Sequence, residues 1–365
     1  MRVLFILPSL SLSNGVASFA MNYFRNIDRD RVHIDFAILF DRTPSYADEI
    51  KSLGSKIFVL PSVKHITKHF EACRRILHEG NYDIIHDNSL IRTIPMMITA
   101  KSEKIPIRIL HSHSSKMGET PWKTFRNGLF LPLLKAQMTY AFTCSELAGR
   151  AMFGNKPFTL VPNVIDADRF RFDQHVRERV RAELDCTDKY IIGSVGRLAP
   201  PKNPFFAMDV FKAVHELMPD AEYWWIGTGN LDAEVKAYAD KLGLHECVRF
   251  LGNRNDVNEL YQAMDVFFMP SNFEGFPIAC IEAEASGLNC IVSSEITKEI
   301  NVTEQVQFVS LQCDIGIWAK KIMDAKKTET DRDNCYKQIN NSLFSCNSSG
   351  DYLTRIYSAI AGKAK

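Results

Sequence analysis

The sequence predicts an α/β protein made of two Rossmann-like, doubly wound domains, and three observations lead there. Short apolar runs without polar alternation recur along the chain, the mark of strands covered on both faces and hence of a parallel sheet. Segments with helical spacing separate them, which is the strand–helix–strand rhythm of a doubly wound fold. The rhythm restarts midway, and 365 residues suffice for two full cores.

In chain order, the first half offers strands at Val3–Leu7, Ile34–Leu39, Lys56–Leu60, Asp83–His86 and Ile107–His111. Helical patterns such as Ala17–Arg25 and Thr67–His78 lie between them. Val161–Phe170 and the charged stretch up to Lys189 read as a connection. The pattern begins again at Tyr190–Gly196, with further strands expected at Glu222–Ile226, Val248–Phe250, Val266–Met269 and Cys290–Ser293. Asp351–Ala361 has helical spacing. The expected organisation is a first domain over 1–168, a linker over 169–189, a second domain over 190–349 and a closing segment over 350–365. Ligands of such folds gather at the carboxyl ends of strands, so a cleft between the two domains is the expected site.

Composition narrows the function. The net charge of +1 supplies no basic field for nucleic acid. Nine cysteines, odd in number and never spaced Cys-x-x-Cys, argue against a disulfide framework or a zinc site and suit a reducing cytoplasm. The run Met1–Pro8 is too short and too early for a signal peptide and reads as a buried strand. No run approaches the ~20 apolar residues of a membrane helix, so a cytoplasmic location is expected.

The most informative stretch runs from Ser271 to Gly287. It sets Glu274 before a Gly275-Phe276-Pro277 turn and Glu282 inside the helix that Pro277 is expected to open at its first position, ahead of Ile278. The start of such a helix points free N–H groups at an anion, and glutamates there can accept from hydroxyls. An anionic ligand rich in hydroxyls, such as a sugar nucleotide, fits both. Gly196-Arg197 and Lys202 follow the first strand of the second half, so a guanidinium fork and a compact ammonium can converge on a diphosphate. Gly227-Thr-Gly229 ends the next strand, but without a full Gly-x-Gly-x-x-Gly it gives no support to a nicotinamide cofactor. Arg254 and Asn255 follow Gly252, ahead of a helix expected to start near Asn255 or Asp256.

In the first half, Ser13-Asn14-Gly15 is either a phosphate-facing turn, with Asn14 tolerating left-handed backbone, or an ordinary strand-to-helix turn. His111 and His113 end a strand, and a polar role toward a substrate is favoured over a metal pair, since no third ligand is evident. His86 reads as a capping or packing residue. The Asp-x-Asp triplets at Asp28, Asp166 and Asp331 lie in charged loop-like or helical contexts, and no metal is expected at any of them. The Pro121–Lys135 stretch mixes bulky apolar residues with cations, as does Lys64–His69 with Arg74 and Arg75. In both Met117–Tyr140 and that second patch, a core helix and a peripheral membrane contact are alternatives.

Taken together, Pro-Ser-x-x-Glu274-Gly-Phe-Pro, the following Glu-Ala-x-Ala-x-Gly and the loop Gly196-Arg-Leu-Ala-Pro-Pro-Lys202-Asn203 resemble the family 4 retaining glycosyltransferases of the GT-B fold. The tail from Cys290 to Glu299 is similar to bacterial exopolysaccharide and capsule enzymes in particular. The resemblance implies a metal-independent, retaining hexosyltransferase with a nucleotide-sugar donor, UDP favoured, and a glycan or lipid-linked acceptor. It implies that Arg197 and Lys202 hold the diphosphate, that Glu282 meets the ribose, and that Glu274 with the Gly275–Ile278 turn meets donor hydroxyls. It also implies that Gly227 and Gly229 lie near the phosphates, that the Arg254–Asn255 loop lies against the base, and that His111, or else His113, faces the donor sugar across the cleft. The closing segment would cross back to the first domain, and the protein would work at the inner face of the cell membrane. Where the family shows two glycines, this chain has Asn14-Gly15. Two rivals share the donor site. An epimerase or hydrolase would need an acidic residue from the first domain, for which Asp87 is the candidate; the other rival is a non-catalytic binding subunit.

Overall fold

A computed structural model describes every residue except Ser13, Arg42, Met117, Glu119, Glu329 and Lys365. The chain divides into two compact units, Met1–Val164 with Ser349–Lys365, and Ile165–Ser348. The division falls at 164/165, so the stretch expected as a linker over 169–189 belongs instead to the second unit. Its charged residues form the helix Gln174–Glu183. That helix is held by Arg177, which donates to the Gln262, Ala263 and Met264 carbonyls and pairs with Asp265 at 2.5 Å.

The first unit carries strands β1 (Arg2–Leu7), β2 (His33–Ile38), β3 (Ile57–Val59), β4 (Ile84–Asp87), β5 (Ile107–Ser112), β6 (Tyr140–Thr143) and β7 (Thr159–Leu160). They pair in parallel in the order β3-β2-β1-β4-β5-β6-β7. Their side chains are buried on both faces, as the continuous apolar runs require: Val3, Leu4, Phe5 and Ile6 of β1 have no exposure. The helix Tyr352–Ala364 belongs to this unit, where Leu353 and Tyr357 are fully buried.

The second unit carries β8 (Tyr190–Val195), β9 (Ala221–Ile226), β10 (Val248–Gly252), β11 (Val266–Met269), β12 (Asn289–Ser293) and β13 (Val306–Val309). Their order is β10-β9-β8-β11-β12-β13, again all parallel. Trp225, Phe268, Phe211 and Trp318 fill the core between the sheet and its helices. In both units the strand order reverses once, between β1 and β4 and between β8 and β11. At such a switch point the loops that leave neighbouring strands diverge and open a crevice at the carboxyl edge. Among the described residues no helix is long and apolar enough to cross a membrane.

Candidate functional site

Four neighbouring strands of the second unit deliver the sequence motifs to one edge of the sheet. Gly252, Gly227 and Gly196 leave β10, β9 and β8, and the Ser271–Glu274 loop leaves β11. The glycine loops are laced together by backbone. Gly227 N–H donates to Gly252 O at 2.8 Å, and Leu231 N–H to Leu198 O at 3.0 Å. Gly227 has φ +127°, and a Cβ there would stand 2.3 Å from Gly196 O; one at Gly229 would stand 2.0 Å from Leu198 O. Both positions therefore exclude any side chain.

After Gly196 the chain exposes Arg197 and makes a short 3-10 turn over Pro200–Lys202. Asn203, in left-handed backbone, then starts the helix Pro204–Leu217. Asn272 fastens this turn to the β11 loop: its N–H donates to Pro201 O and its amide Nδ2 to Pro200 O, both at 2.8 Å. The two loops flank the switch point, and across it Lys202 Nζ meets Glu274 Oε1 at 2.7 Å, both side chains largely buried. Asn272 was not singled out in the sequence; an asparagine in a loop carries no signal until the second loop is beside it.

Pro277 is the N-cap, in extended backbone, and the helix runs Ile278–Ala285. The expected first-turn proline therefore sits one position earlier, and Phe276 below it stacks on Phe344. Glu282 is half-buried with Oε2 3.2 Å from the Tyr261 hydroxyl. Burial pushes its carboxyl up to about 7, while the Tyr261 contact and the charges of Arg169 and Lys202 pull the other way. Tyr261 and Arg169 were not expected here. Glu284, on the inner face of the same helix, is fully buried and accepts from Thr303 N, Thr303 Oγ1 and Val302 N. Its role is to hold the helix. Arg254 is locked on Asp256 by two bonds of 2.8 and 2.5 Å, and Asn255 is exposed.

In the first unit Asn14 is the N-cap of the helix Gly15–Asn26, its Oδ1 accepting from Val16 N at 3.0 Å. Its backbone is extended (φ −101°), so the left-handed conformation allowed for in the sequence is not used. Gly15 has open space around its Cβ position, and Ser13 lies outside the described residues. His111 is fully buried rather than exposed at the strand end, and His113, half-buried, is stacked on it at 4.0 Å. His86 is more than packing: its Nε2 meets His111 Nδ1 at 2.9 Å. Three histidines thus converge where two were foreseen, yet among the described residues no group of three His, Cys, Asp or Glu side chains could hold a metal ion. Asp87 is buried and tied to Ser89 N and Thr93 Oγ1, which fixes a turn. The Asp-x-Asp carboxylates serve the chain as well: Asp331 caps the helix Arg332–Asn340, and Asp168 accepts from Tyr336 and Asn347.

The helix Pro121–Lys135 is capped by Thr120 and has Leu134 as its one fully buried side chain. Trp122, Phe125 and Leu129 are 68, 67 and 68% exposed, and Leu133 and Phe130 are exposed as well. Positions 122, 125, 129 and 133 share one face of a helix. The helix is therefore two-sided: Leu134 and Leu131 join the core of the first unit, while the face of Trp122, Phe125, Leu129 and Leu133 is open; Met117 is outside the described residues. In the second patch Ile66, Lys64 and Lys68 are exposed, while His69 is buried with Nδ1 2.6 Å from Pro61 O.

A cavity of about 640 Å³ opens at the opposite, amino edge of the second sheet, beside Tyr190, Asp265 and Asn289. Of its three arginines, Arg177 and Arg181 are bonded to helix-end carbonyls and Asp265, and Arg332 donates to Met264 O at 3.2 Å. It holds none of the residues gathered above.

Residues 176–342 match the family model described as glycosyl transferases group 1. The "Putative glycosyltransferase EpsF" of Bacillus subtilis (strain 168) is 31% identical over 341 residues, covering 89% of this chain and 87% of that protein. The UDP-Gal:alpha-D-GlcNAc-diphosphoundecaprenol alpha-1,3-galactosyltransferase of Escherichia coli is 28% identical over 301 residues, 78% of this chain and 77% of that one. Among solved structures, Anabaena HepE in complex with UDP and glucose superposes with a TM-score of 0.83 over 98% of this chain and 100% of its own, at 16% identity. That likeness carries the fold, which is GT-B.

Proposed function

The chain belongs to the group 1 glycosyl transferases, and from that premise we propose that it moves a hexosyl unit from a UDP-sugar to a glycan or lipid-linked acceptor in surface-polysaccharide synthesis. The observation that carries the reading is the meeting of Lys202 and Glu274 at the switch point, with Glu282 on the next helix. Names among the relatives support the choice of donor and acceptor: one takes UDP-Gal and acts on a diphosphoundecaprenol-linked sugar, and HepE is solved with UDP and glucose.

In the proposed reaction an acceptor hydroxyl attacks the anomeric carbon on the face the nucleotide leaves. The carbon–oxygen bond to the diphosphate breaks, a new one forms with retained configuration, and the hydroxyl proton passes to a donor phosphate oxygen. The leaving UDP gains charge. Arg197 and Lys202, on a loop braced by Asn272, stabilise that charge without reorganising, the task a divalent metal performs elsewhere. The Lys202–Glu274 pair keeps the ammonium in place before the diphosphate arrives, and Glu274 then turns to donor hydroxyls. Glu282 accepts from the ribose, and a polar contact to substrate is assigned to His111. Nucleotide-sugar screening by thermal shift, then UDP release with and without EDTA, tests this. Stabilisation by UDP-sugars and turnover that survives EDTA are expected. Turnover lost on chelation and restored by Mg²⁺ or Mn²⁺ would remove the metal-free mechanism, and no response to any nucleotide sugar would remove the donor assignment.

The acceptor is proposed to lie at a membrane, with the exposed Trp122–Phe125–Leu129–Leu133 face as the seat. Aromatics at a headgroup boundary, with Lys123 and Arg126 beside them, suit peripheral attachment.

A further inference from the structure

We propose that Tyr357 and His86 are positioning residues that set which ring nitrogen of His111 carries its proton, so that His111 presents an Nε2–H donor to a substrate oxygen. This rests on the reading that His111 touches substrate.

The argument is one of hydrogen-bond accounting. Tyr357 is fully buried, and its hydroxyl lies 2.5 Å from His86 Nδ1. Among the described residues that nitrogen is its one acceptor. A buried phenol proton without an acceptor is costly, so Tyr357 donates. His86 Nδ1 is then a lone pair and its proton sits on Nε2. That N–H points at His111 Nδ1, 2.9 Å away. His111 Nδ1 accepts in turn, which leaves the His111 proton on Nε2. Burial depresses the basicity of all three histidines, so each ring is neutral and has one donor and one acceptor. The opposite polarity would strand the Tyr357 proton.

A second chain fixes the neighbouring ring. Asn88 Nδ2 donates to His86 O at 3.2 Å, which orients its amide, and Asn88 Oδ1 therefore accepts from His113 Nε2–H at 2.8 Å. Phe19 sets its edge against His111 at 5.0 Å and lies tilted against His113 at 4.6 Å, holding the stack. Among the described residues, the buried nitrogen of the network left without a partner is His111 Nε2. Such an N–H is kept for an oxygen that a bound substrate delivers. A histidine free to exchange tautomers would present a donor part of the time.

The test uses the full chain labelled with ¹⁵N-histidine and long-range proton–nitrogen correlation spectra, which identify the protonated nitrogen of each ring. In the native protein His86 and His111 should both carry the proton on Nε2. Tyr357→Phe, which keeps the ring and removes the hydroxyl, should convert His111 to a mixture of tautomers. It should also lower kcat for UDP release from UDP-galactose or UDP-glucose about tenfold, the factor for one misdirected hydrogen bond. The donor KM and the affinity for UDP, held by the second unit, should stay within about twofold. A proton on His111 Nδ1 in the native spectrum overturns the proposal without any variant. So do tautomer populations that Tyr357→Phe leaves unmoved. If instead the tautomers are as assigned but His111→Phe keeps full kcat/KM, it is the substrate contact that fails. UDP binding unchanged in that variant would leave the donor site of the second unit intact.

Discussion

Glu282 and Glu284 stand two positions apart on one short helix and do different work. Glu284 faces inward and holds three donors from Val302 and Thr303. Glu284→Ala would strand them, and urea unfolding should show a loss of about 3 kcal/mol. Glu282 is raised to about 7, above an ordinary glutamate, so the fold favours its protonated form near neutrality. That bias is absent below the free value, where both folded and unfolded forms are protonated. It weighs against the fold increasingly as pH rises toward about 7. Ribose hydroxyls need the ionised form as acceptor, so UDP affinity by calorimetry should rise about tenfold from about pH 6 to about pH 8. Glu282→Gln should flatten that slope beyond what UDP itself contributes. Lys202→Ala should lower kcat ~10²-fold or more, as removal of a charge-stabilising donor does. Wild-type kinetics in a folded Lys202→Ala protein would end the diphosphate assignment. The glutamates and Lys202 were legible because each sits in a patterned turn. Tyr261, Arg169, Asn88 and Tyr357 were not, since their partners lie 21, 113, 25 and 271 positions away along the chain.

At the level of elements, strands buried on both faces announced themselves, because uninterrupted apolar runs of that length have few other homes. Those missed were β6, β7 and β13, which are short or lie toward a sheet edge where burial is partial. The helix Gln174–Glu183 was taken for a linker because its charges look solvated. In the fold Arg177 pairs with Asp265 and Arg179 with Glu259, which no local pattern reveals. The glycine loops behave as one element. Gly227→Ala should lose about 2 kcal/mol or more in urea unfolding and weaken UDP binding, given its φ and the backbone oxygen in its way. Gly128, inside the helix Pro121–Lys135 with nothing near its Cβ position, is the contrast. Gly128→Ala should gain about 0.5–1 kcal/mol in the same measurement.

For the molecule as a whole, near-neutral charge leaves any membrane attraction to local patches. Flotation with anionic vesicles should recover the protein, less so as salt rises and less again with Lys123→Glu and Arg126→Glu together. Trp122→Ala with Phe125→Ala should abolish recovery while leaving the melting temperature unchanged, since both side chains are largely exposed. Equal recovery on neutral and anionic vesicles, or none on either, would remove the membrane proposal. The transferase assignment would stand.

The first unit is interrupted: its sheet comes from Met1–Val164, yet Ser349 and the residues after it complete its core. On a ribosome this imposes an order. The early strands emerge with the pocket for Leu353 and Tyr357 open, and it stays open while 184 residues of the second unit, 165–348, are made. At about 5–20 residues per second that is a wait of roughly ten to forty seconds, long beside the folding time of a small domain. The inserted unit can therefore finish first, and the first unit closes last. Nascent chains stalled before residue 349 should expose apolar surface to chaperones from the first unit alone, and release of the remaining segment should end that binding.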